Sequence, residues 1–441
     1  MLKRRSSHFL TNQGLASLKG RVFYGWWIVA LGSLINGMGA GILFHSLTIF
    51  FLPLKNEFNA SSAAISLFYG AARLEGGFES PVVGYLISRF GPRAMMITGI
   101  LMAGGGLFLV STVRDYWTFF FVFIFIVFMG YNAGFYHPVS TVMNNWFIRR
   151  RGVAFSLISS SAGAGGMVMA PLLSAIIAKY GWRTGMVVAG LAILIVTLPA
   201  SFPMRNTPEG MGLRPDGEGS QDHLRREPGL GCADPRDVDF SVKEAMKTRM
   251  YWMLMGAISF RIFVTVALSV HFVPILVWKG MSETTGAYLV SLYAFGVIFT
   301  TLVIGWAGDR WGKALMSALG LLPIIVVMFG MVLSQGAFIL YFYPIGLAIA
   351  IGTTPQNWAL IGDFFGRRNY PTNRGSMGVC YGTTGFFSPI YAGWMYDRTG
   401  GYTYVLISLS LMLVAVACLF SILRPPPPKN ERSAPLVGLN S

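Results

Sequence analysis

The chain has 441 residues, of which 54% are hydrophobic and only 12% are charged, and its formal net charge is +16. Soluble domains carry about 25% charged residues, so this composition leaves too little polar surface to coat a soluble body and excludes an ordinary soluble protein. The apolar runs have the length of helices and lack the alternation of strands. They therefore exclude a β-barrel and predict a polytopic α-helical membrane protein.

Runs of about 20 apolar residues predict twelve membrane-spanning helices. In chain order, the predicted spans cover residues 23–50, 61–88, 93–113, 117–146, 152–177, 183–203, 251–277, 283–307, 313–334, 336–362, 374–396 and 401–423. A polar segment rich in Gly, Pro and charge separates six spans from six and predicts a flexible linker. The predicted organisation is a tail, a six-helix bundle, a linker, a second six-helix bundle and a tail, at residues 1–22, 23–203, 204–250, 251–423 and 424–441.

Positive charge is distributed unevenly between the two sides of the predicted bundle. Of the 34 Lys and Arg residues, 26 lie on the side of the termini, six lie on the other side, and Arg73 and Arg261 lie within spans. Because cytoplasmic loops are enriched in Lys and Arg, both termini are predicted to be cytoplasmic. Topology thus explains the net charge, which argues against nucleic acid as a partner. We expect a multi-pass protein of the plasma (inner) membrane, embedded in the lipid bilayer.

The sequence contains no pattern typical of an enzyme or of a cofactor site. Cys232, Cys380 and Cys418 are scattered, without the spacing of a metal or redox site. A phosphate-binding Gly-Lys-Ser/Thr loop, a zinc-protease HExxH and a GxSxG elbow do not occur. We therefore predict that the protein is not an enzyme, uses no ATP and binds no cofactor or metal. We also expect it to act as a monomer.

The two halves of the chain are related by an internal repeat. A shift of 221 residues superposes residues 53–91 on residues 274–312 with seven identities in 39 positions, which include Gly84/Gly305 and Arg89/Arg310. Two parallel six-helix repeats imply a pseudo-twofold axis along the membrane normal and a central site between the halves. This organisation is typical of secondary transporters.

Sequence motifs at the ends of spans two and eight carry a family resemblance. "GYLISRFGPR" (84–93) and "GWAGDRWGK" (305–313) resemble the G-x-x-x-[DN]-R-x-G-[RK] loop of the major facilitator superfamily, although Ser88 replaces the acid in the first copy. Further segments are similar to bacterial relatives of the monocarboxylate and oxalate–formate transporters, namely those at 23–44, 146–156, 180–183 and 207–217. The resemblance implies an all-α fold of twelve helices in two six-helix pseudo-repeats, and carboxylate transport.

The loop motifs predict a gate at the cytoplasmic side. Gly84 and Gly305 remove side chains where helices must approach closely, and Arg89 and Arg310 anchor short turns. In the family, the acid of this motif helps to latch the two halves, which assigns that role to Asp309. The alternative is that these residues only fix the topology.

Helix two carries charged residues on two different faces. At 100° per residue, Arg73, Gly77, Ser80 and Gly84 lie within about 40° of one another, a stripe that predicts a contact between the halves. Glu75 and Glu79 lie about 200–240° away, so Arg73 is poorly placed to neutralise them.

Depth along the helices suggests which groups meet. At about 1.5 Å per residue, Arg73 lies about 18 Å from the outer start of helix two and Arg261 about 15 Å from the cytoplasmic start of helix seven. Two guanidiniums near the midplane suit a carboxylate, which arginine binds bidentately. By the same measure, Glu79 is about as deep as His137 and Glu75 about as deep as Asn132.

Two interpretations of these groups remain open. In the first, Arg261 and Arg73 bind an anion and a proton is taken up by Glu75, Glu79 or His137. In the second, all five residues form a buried network that fixes helix packing. Carboxylate-transporting relatives usually place the key arginine on helix eight. Here residues 283–307 contain no basic residue, and the repeat makes Ala294 equivalent to Arg73. The polar side chains predicted to line the site are Asn36, Tyr131, Asn357 and Tyr381.

We predict from these features a secondary transporter of a small organic anion, in particular a monocarboxylate, that works by alternating access with proton symport. Two alternatives stay open. One is an exporter of cationic or amphipathic compounds, with Glu75 and Glu79 as the counter-charge. The other is a membrane sensor with a transporter fold and no transport activity.

Overall fold

The computed structural model describes residues 23–50, 53–54, 57–58, 62–217, 239–334 and 337–425. Every regular element within these ranges is a helix. Nine helical stretches of the described residues are long and apolar enough to cross a membrane. The predicted all-α class is therefore confirmed, and the helices form the twelve-helix fold that the internal repeat predicts.

The first half of the chain forms six helices, labelled α1 to α6. One stretch, Arg151–Ser201, contains Gly181 in a left-handed conformation (φ 82°), which divides it into two helices. The six helices are α1 (Tyr24–His45), α2 (Ser62–Phe90), α3 (Pro92–Thr112), α4 (Tyr116–Trp146), α5 (151–180) and α6 (182–201).

The second half repeats this arrangement in helices α7 to α12. The first of these has a break at His271, between its two helical segments. The six helices are α7 (Arg249–Val270 with Phe272–Trp278), α8 (Glu283–Trp311), α9 (Lys313–Leu333), α10 (Phe338–Phe365), α11 (Tyr370–Thr399) and α12 (Thr403–Ile422).

Most observed helices match the predicted spans to within a few residues, but α11 begins at Tyr370 and not at residue 374. Pro371 occupies the first turn, where its missing N–H costs no hydrogen bond and its fixed φ suits the helix. The earlier start places Arg374 one turn inside the helix, whereas the predicted span begins at this residue and counts it with the basic loop before it. This change matters for the site described below.

The outer faces of the helices are apolar. Ile195, Phe295, Val326 and Leu333 are each at least 66% exposed. Large apolar side chains on this scale are unfavourable against water, whereas they are the expected surface of a bundle that faces lipid tails.

The two halves meet along two seams, α2 against α11 and α5 against α8. A Cβ atom on Gly77 would lie 3.1 Å from the Cα of Gly382, and one on Gly84 would overlap the carbonyl oxygen of Pro371. Ser80 lies against Gly378 in the same seam. The predicted stripe of Gly77, Ser80 and Gly84 is therefore confirmed as a contact between the halves. The side chains of Arg73 and Glu75 lie outside the described part of α2.

One end of the bundle is held by polar contacts. This "latch end" contains residues 88–93, 145–153, 309–313 and 363–374. Asp216, from the predicted linker, accepts hydrogen bonds there from the N–H groups of Ile148 and Arg149 (2.9 and 2.8 Å). The described linker residues before Asp216 are thus fixed to the α4–α5 loop, which differs from the flexible segment that their composition predicts. The exact boundaries of the two bundles stay a prediction.

Close packing of the seam at Gly84 can be tested with a matched pair of substitutions. Gly84→Val places methyl groups where the backbone of α11 lies, so we expect the latch end to close poorly and transport to fall at least about tenfold. Gly105→Val on α3 is the control, because a Cβ at Gly105 meets nothing within 4 Å.

Both variants are purified, checked for a monodisperse fold by size-exclusion chromatography and assayed for solute exchange in proteoliposomes. Equal exchange by the two folded variants would contradict the role assigned to the seam.

Candidate functional site

A cavity of about 320 Å³ lies between the two halves. Its walls come from α1, α2 and α4 on one side and from α7 and α11 on the other. Apolar residues form much of the wall, including Phe44, Phe128, Ile262 and Val266. The polar contribution comes from Tyr131, Asn132, Tyr136, His137 and Tyr381. A largely apolar cavity with a few polar groups is typical of a small-molecule site.

A local change in helical geometry positions the α4 side chains. Residues Asn132–Tyr136 form a π-helical turn directly before His137 and Pro138. Such a turn inserts an extra residue and rotates the side chains that follow, a feature that often marks functional sites. Pro138 also has no N–H to donate to the preceding turn. The turn therefore allows Tyr131, Tyr136 and His137 to reach one cavity.

Arg261 on α7 is almost completely buried, with 1% of its surface exposed. In the amide orientation that satisfies both groups, the side-chain oxygen of Asn357 accepts from Nε (2.6 Å) and Nη2 (3.1 Å) of Arg261. No carboxylate of the described residues lies within ion-pair distance of this guanidinium. Arg261 lies near Tyr136, which lines the cavity. The site thus contains a cation whose partners are neutral.

Glu79 on α2 contacts Asn132, whose Nδ2 donates to Oε2 at 3.1 Å. Depth counted along the backbone predicts that Glu79 lies level with His137. In the structure, Glu79 instead contacts Asn132, which lies about one turn closer to the start of α4. Side chains lean toward the N-terminus of their own helix, so Glu79 reaches a residue at a shallower level. Gly76 makes room for this pair, because a Cβ there would stand 3.0 Å from Nδ2 of Asn132.

The latch end joins the halves through charged groups. Asp309 at the end of α8 accepts from the N–H groups of Gly152 (2.8 Å) and Val153 (2.9 Å), at the start of α5. A carboxylate at a helix N-terminus is favourable because the unpaired N–H groups and the helix dipole point toward it. Arg151 pairs with Asp363 on α10, and Lys313 donates to the other oxygen of Asp363 at 2.8 Å. Two acids and two bases therefore hold this seam.

The other copy of the motif makes no such contact. Ser88 donates its hydroxyl to the carbonyl oxygen of Gly84 in its own helix (3.0 Å). Arg89 is exposed beside Tyr85, and Arg310 lies over the ring of Trp306 at 5.8 Å. These two arginines lie at the surface of the latch end, away from the contact between the halves.

Some predicted residues are not brought to the cavity. The Nδ2 of Asn36 donates to the carbonyl oxygen of Ile158 (2.9 Å), which ties α1 to α5 within one half. Gly305 packs against Ser156 and Gly152 in the α5–α8 seam, below the cavity. Of the residues predicted to bind an anion, the structure brings Tyr131 and Tyr381 to the cavity, with Arg261 and Asn357 beside it.

Carboxyl groups at the ends of the bundle are fixed by local partners. Arg183 donates to Oε1 of Glu57 at 2.6 Å, and this hydrogen bond lowers the pKa of the Glu57 carboxyl. Asp115 caps α4 by accepting from the N–H of Thr118, which lowers the pKa of Asp115. Both groups stay ionised near neutral pH, so neither is suited to carry a proton there.

A second buried arginine lies beside the cavity. The sequence places it at the first residue of the predicted span 374–396, next to a basic loop. Arg374 on α11 is 1% exposed. Its guanidinium lies over the rings of Tyr136 (4.5 Å) and Trp358 (4.7 Å), and Nη1 donates to the hydroxyl of Ser140. The signal that could have identified it is the "YP" pair at 370–371, which starts a helix before the arginine.

Comparison with known proteins agrees with this architecture. The family model of the Major Facilitator Superfamily matches residues 29–389 and, in a second match, residues 263–439. The chain is 23% identical to monocarboxylate transporter 12 of Xenopus laevis over 422 residues, which cover 89% of this chain and 88% of that protein. It is 23% identical to the oxalate:formate antiporter of Oxalobacter formigenes over 407 residues, 89% of this chain and 90% of that one.

Among solved structures, the fold is similar to that of the E. coli fucose:proton symporter FucP. The TM-score is 0.66 at 14% identity, and the match covers 91% of this chain and 100% of that chain. Together, the family match over most of the chain and the twelve-helix fold show that this protein is a member of the Major Facilitator Superfamily of membrane transporters.

Proposed function

We propose that the protein is a secondary active transporter of a small organic anion, in particular a monocarboxylate, coupled to proton symport. It acts as a monomer in the plasma (inner) membrane, with the latch end and both termini in the cytoplasm. The observation that carries this proposal is Arg261, a buried cation beside a cavity between the halves, with no carboxylate of the described residues within ion-pair distance. The names of the monocarboxylate and oxalate:formate relatives support the same ligand class.

The energetic argument concerns the charge of Arg261. Burying an ion costs several kcal/mol unless a partner of opposite charge and further hydrogen bonds offset it. Asn357 supplies one neutral oxygen to Nε and Nη2, and Nη1 has no acceptor among the described residues. A carboxylate is the ligand that offers both a negative charge and two oxygens in the geometry of a guanidinium. Tyr131 and Tyr381 supply further hydrogen-bonding groups in the cavity wall.

Alternating access requires a gate, and we assign it to the latch end. There Asp309 caps α5 of the other half, and glycines at 84 and 305 allow the seams to close. Opening this end breaks the contacts of Asp309 and separates α2 from α11, as expected for rigid-body rocking of two repeats. Arg89 and Arg310 then anchor the turns beside the gate.

Proton coupling is assigned to Glu79, with His137 and Glu75 as further candidates. Glu79 is 8% exposed and is bonded to the neutral amide of Asn132, which lines the cavity. A carboxyl group can hold a proton in such a place at lower cost than a charge. The name of the fucose:proton symporter shows that this fold supports proton coupling in another protein.

Substitution of Arg261 tests the proposed substrate class. Arg261→Gln removes the charge, and the loss of charge-assisted hydrogen bonds worth about 3 kcal/mol should reduce carboxylate exchange about 100-fold. The measurement is counterflow in proteoliposomes with labelled formate, lactate, pyruvate and oxalate, and with tetraphenylphosphonium as a cation. Arg398→Gln is the control, because Arg398 is exposed and lies over Trp394 near the end of α11.

Carboxylate exchange that survives in Arg261→Gln would refute the anion site. Cation flux without carboxylate flux would favour an exporter, and the absence of any flux in the wild type would favour a sensor.

Substitution of Glu79 tests the coupling. Glu79→Gln keeps an oxygen for Asn132 and cannot release a proton, so exchange at equal pH should stay within about threefold while uptake driven by a pH gradient falls at least about tenfold. Glu57→Gln serves as the control at the membrane surface. Unchanged pH-driven uptake in Glu79→Gln would exclude Glu79 and transfer the role to His137 or Glu75.

A further inference from the structure

Arg374 is buried among neutral groups at the boundary between the cavity and the latch end. The rings of Tyr136 and Trp358 lie on its guanidinium, and Ser140 accepts from Nη1. The side chain of Tyr370 lies close to the guanidinium. Nε and Nη2 are buried, and neither has a hydrogen bond of good geometry. Within the part of the chain that the structure describes, no carboxylate lies within ion-pair distance of this side chain.

The internal repeat explains why Arg374 has no acid. The sequence Arg151–Gly152 at the start of α5 corresponds to Arg374–Gly375 near the start of α11, and Arg151 pairs with Asp363 of the other half. The segment "NWFIRRRG" aligns Asn145 with Asp363, so the acid that would pair with Arg374 is replaced by an amide. The second acid of the latch is replaced as well, because Ser88 corresponds to Asp309. The second copy of the arginine, Arg374, is thus retained, whereas Asn145 and Ser88 stand where the other copy has the two acids.

Aromatic side chains separate Arg374 from the cavity. Tyr136 and Tyr381 line the cavity, and Trp358 lies against Tyr381 with ring centroids 5.3 Å apart. These three rings form a layer that we call the cavity floor. The guanidinium of Arg374 lies over two of them, Tyr136 and Trp358. Cation–π contacts offset only part of the cost of burying a charge.

We propose that Arg374 is a second anion-binding residue, which receives the substrate carboxylate when the latch end opens. This inference rests on the proposed function. In the state described here, the carboxylate site is at Arg261, beside the cavity. Opening of the latch end moves α11 away from α2 and parts the cavity floor, so the anion leaves Arg261 and binds Nε and Nη2 of Arg374 on its way to the cytoplasm.

The proposal predicts an effect on one face of the membrane only. Exchange of labelled lactate, or of whichever of formate, pyruvate and oxalate the wild type accepts, is measured in right-side-out and inside-out membrane vesicles. Arg374→Gln should raise KM at the latch face at least about tenfold and change KM at the opposite face less than about threefold. Arg374→Lys, which keeps the charge, should recover at least a third of the loss, whereas Arg261→Gln should raise KM at both faces.

A second pair of variants keeps the test valid if Arg374→Gln does not fold. Ser140→Asp places a carboxylate beside Nη1 of Arg374. This carboxylate should form an ion pair with Arg374 and so compete with the substrate anion, and KM at the latch face should rise as in Arg374→Gln. Ser140→Asn has a similar size without charge and should change KM less than about threefold. The melting temperature of each ligand-free protein in detergent is measured in parallel, and removal of an unpaired buried cation should not lower it.

Three results would overturn the proposal. The first is an equal rise of KM at both faces, and the second is a normal KM at the latch face in Ser140→Asp and in folded Arg374→Gln. The third is a lower melting temperature of Arg374→Gln without a sided effect, which would assign Arg374 to packing. If Arg261→Gln loses exchange and one of these three results is also obtained, only the role proposed for Arg374 is refuted. A wild type that exchanges none of the anions refutes the proposed function as well.

Discussion

A guanidinium buried without a carboxylate is costly inside a membrane, and the described part of the chain buries two of them, Arg261 and Arg374, without a carboxylate within ion-pair distance. Removing such a charge from water costs several kcal/mol even after the surroundings relax. At Arg261 the compensation is one amide oxygen, and at Arg374 it is two aromatic rings and one hydroxyl. Neutral groups solvate a cation only in part, so an anion that reaches either site gains the remaining electrostatic energy. The ligand chemistry that we propose follows from this imbalance.

The halves share a fold but not the charges at the latch end. The α5–α8 seam is closed by two acids and two bases, so the contact carries no net charge. The α2–α11 seam is closed by backbone approach at Gly77 and Gly84, which requires no charge. The same loss of acids leaves Arg374 without an ion pair among the described residues. Gating and anion binding therefore depend on one difference between the two copies of the repeat, which is that Ser88 and Asn145 replace the acids Asp309 and Asp363.

Helix positions and faces could be predicted because both depend only on composition and on a fixed rotation per residue. That is why the stripe at Gly77, Ser80 and Gly84 is correct. Which groups meet across helices also depends on side-chain direction and on the register of packing, and the sequence contains neither. Glu79 thus meets Asn132 and not His137, and Asn36 bonds to α5 within its own half. Arg374 was missed for a further reason. The predicted span begins at this residue, whereas a proline-initiated turn places it one turn inside α11.

Direct localisation of a bound anion tests the central claim most simply. Crystals of the wild type grown with bromoacetate, a small monocarboxylate with an anomalous scatterer, should show a bromine peak in the cavity with the carboxylate on the guanidinium of Arg261. The peak should be absent from crystals of Arg261→Gln grown under the same conditions. Bromoacetate bound away from Arg261, or bound equally well in the variant, would contradict the account.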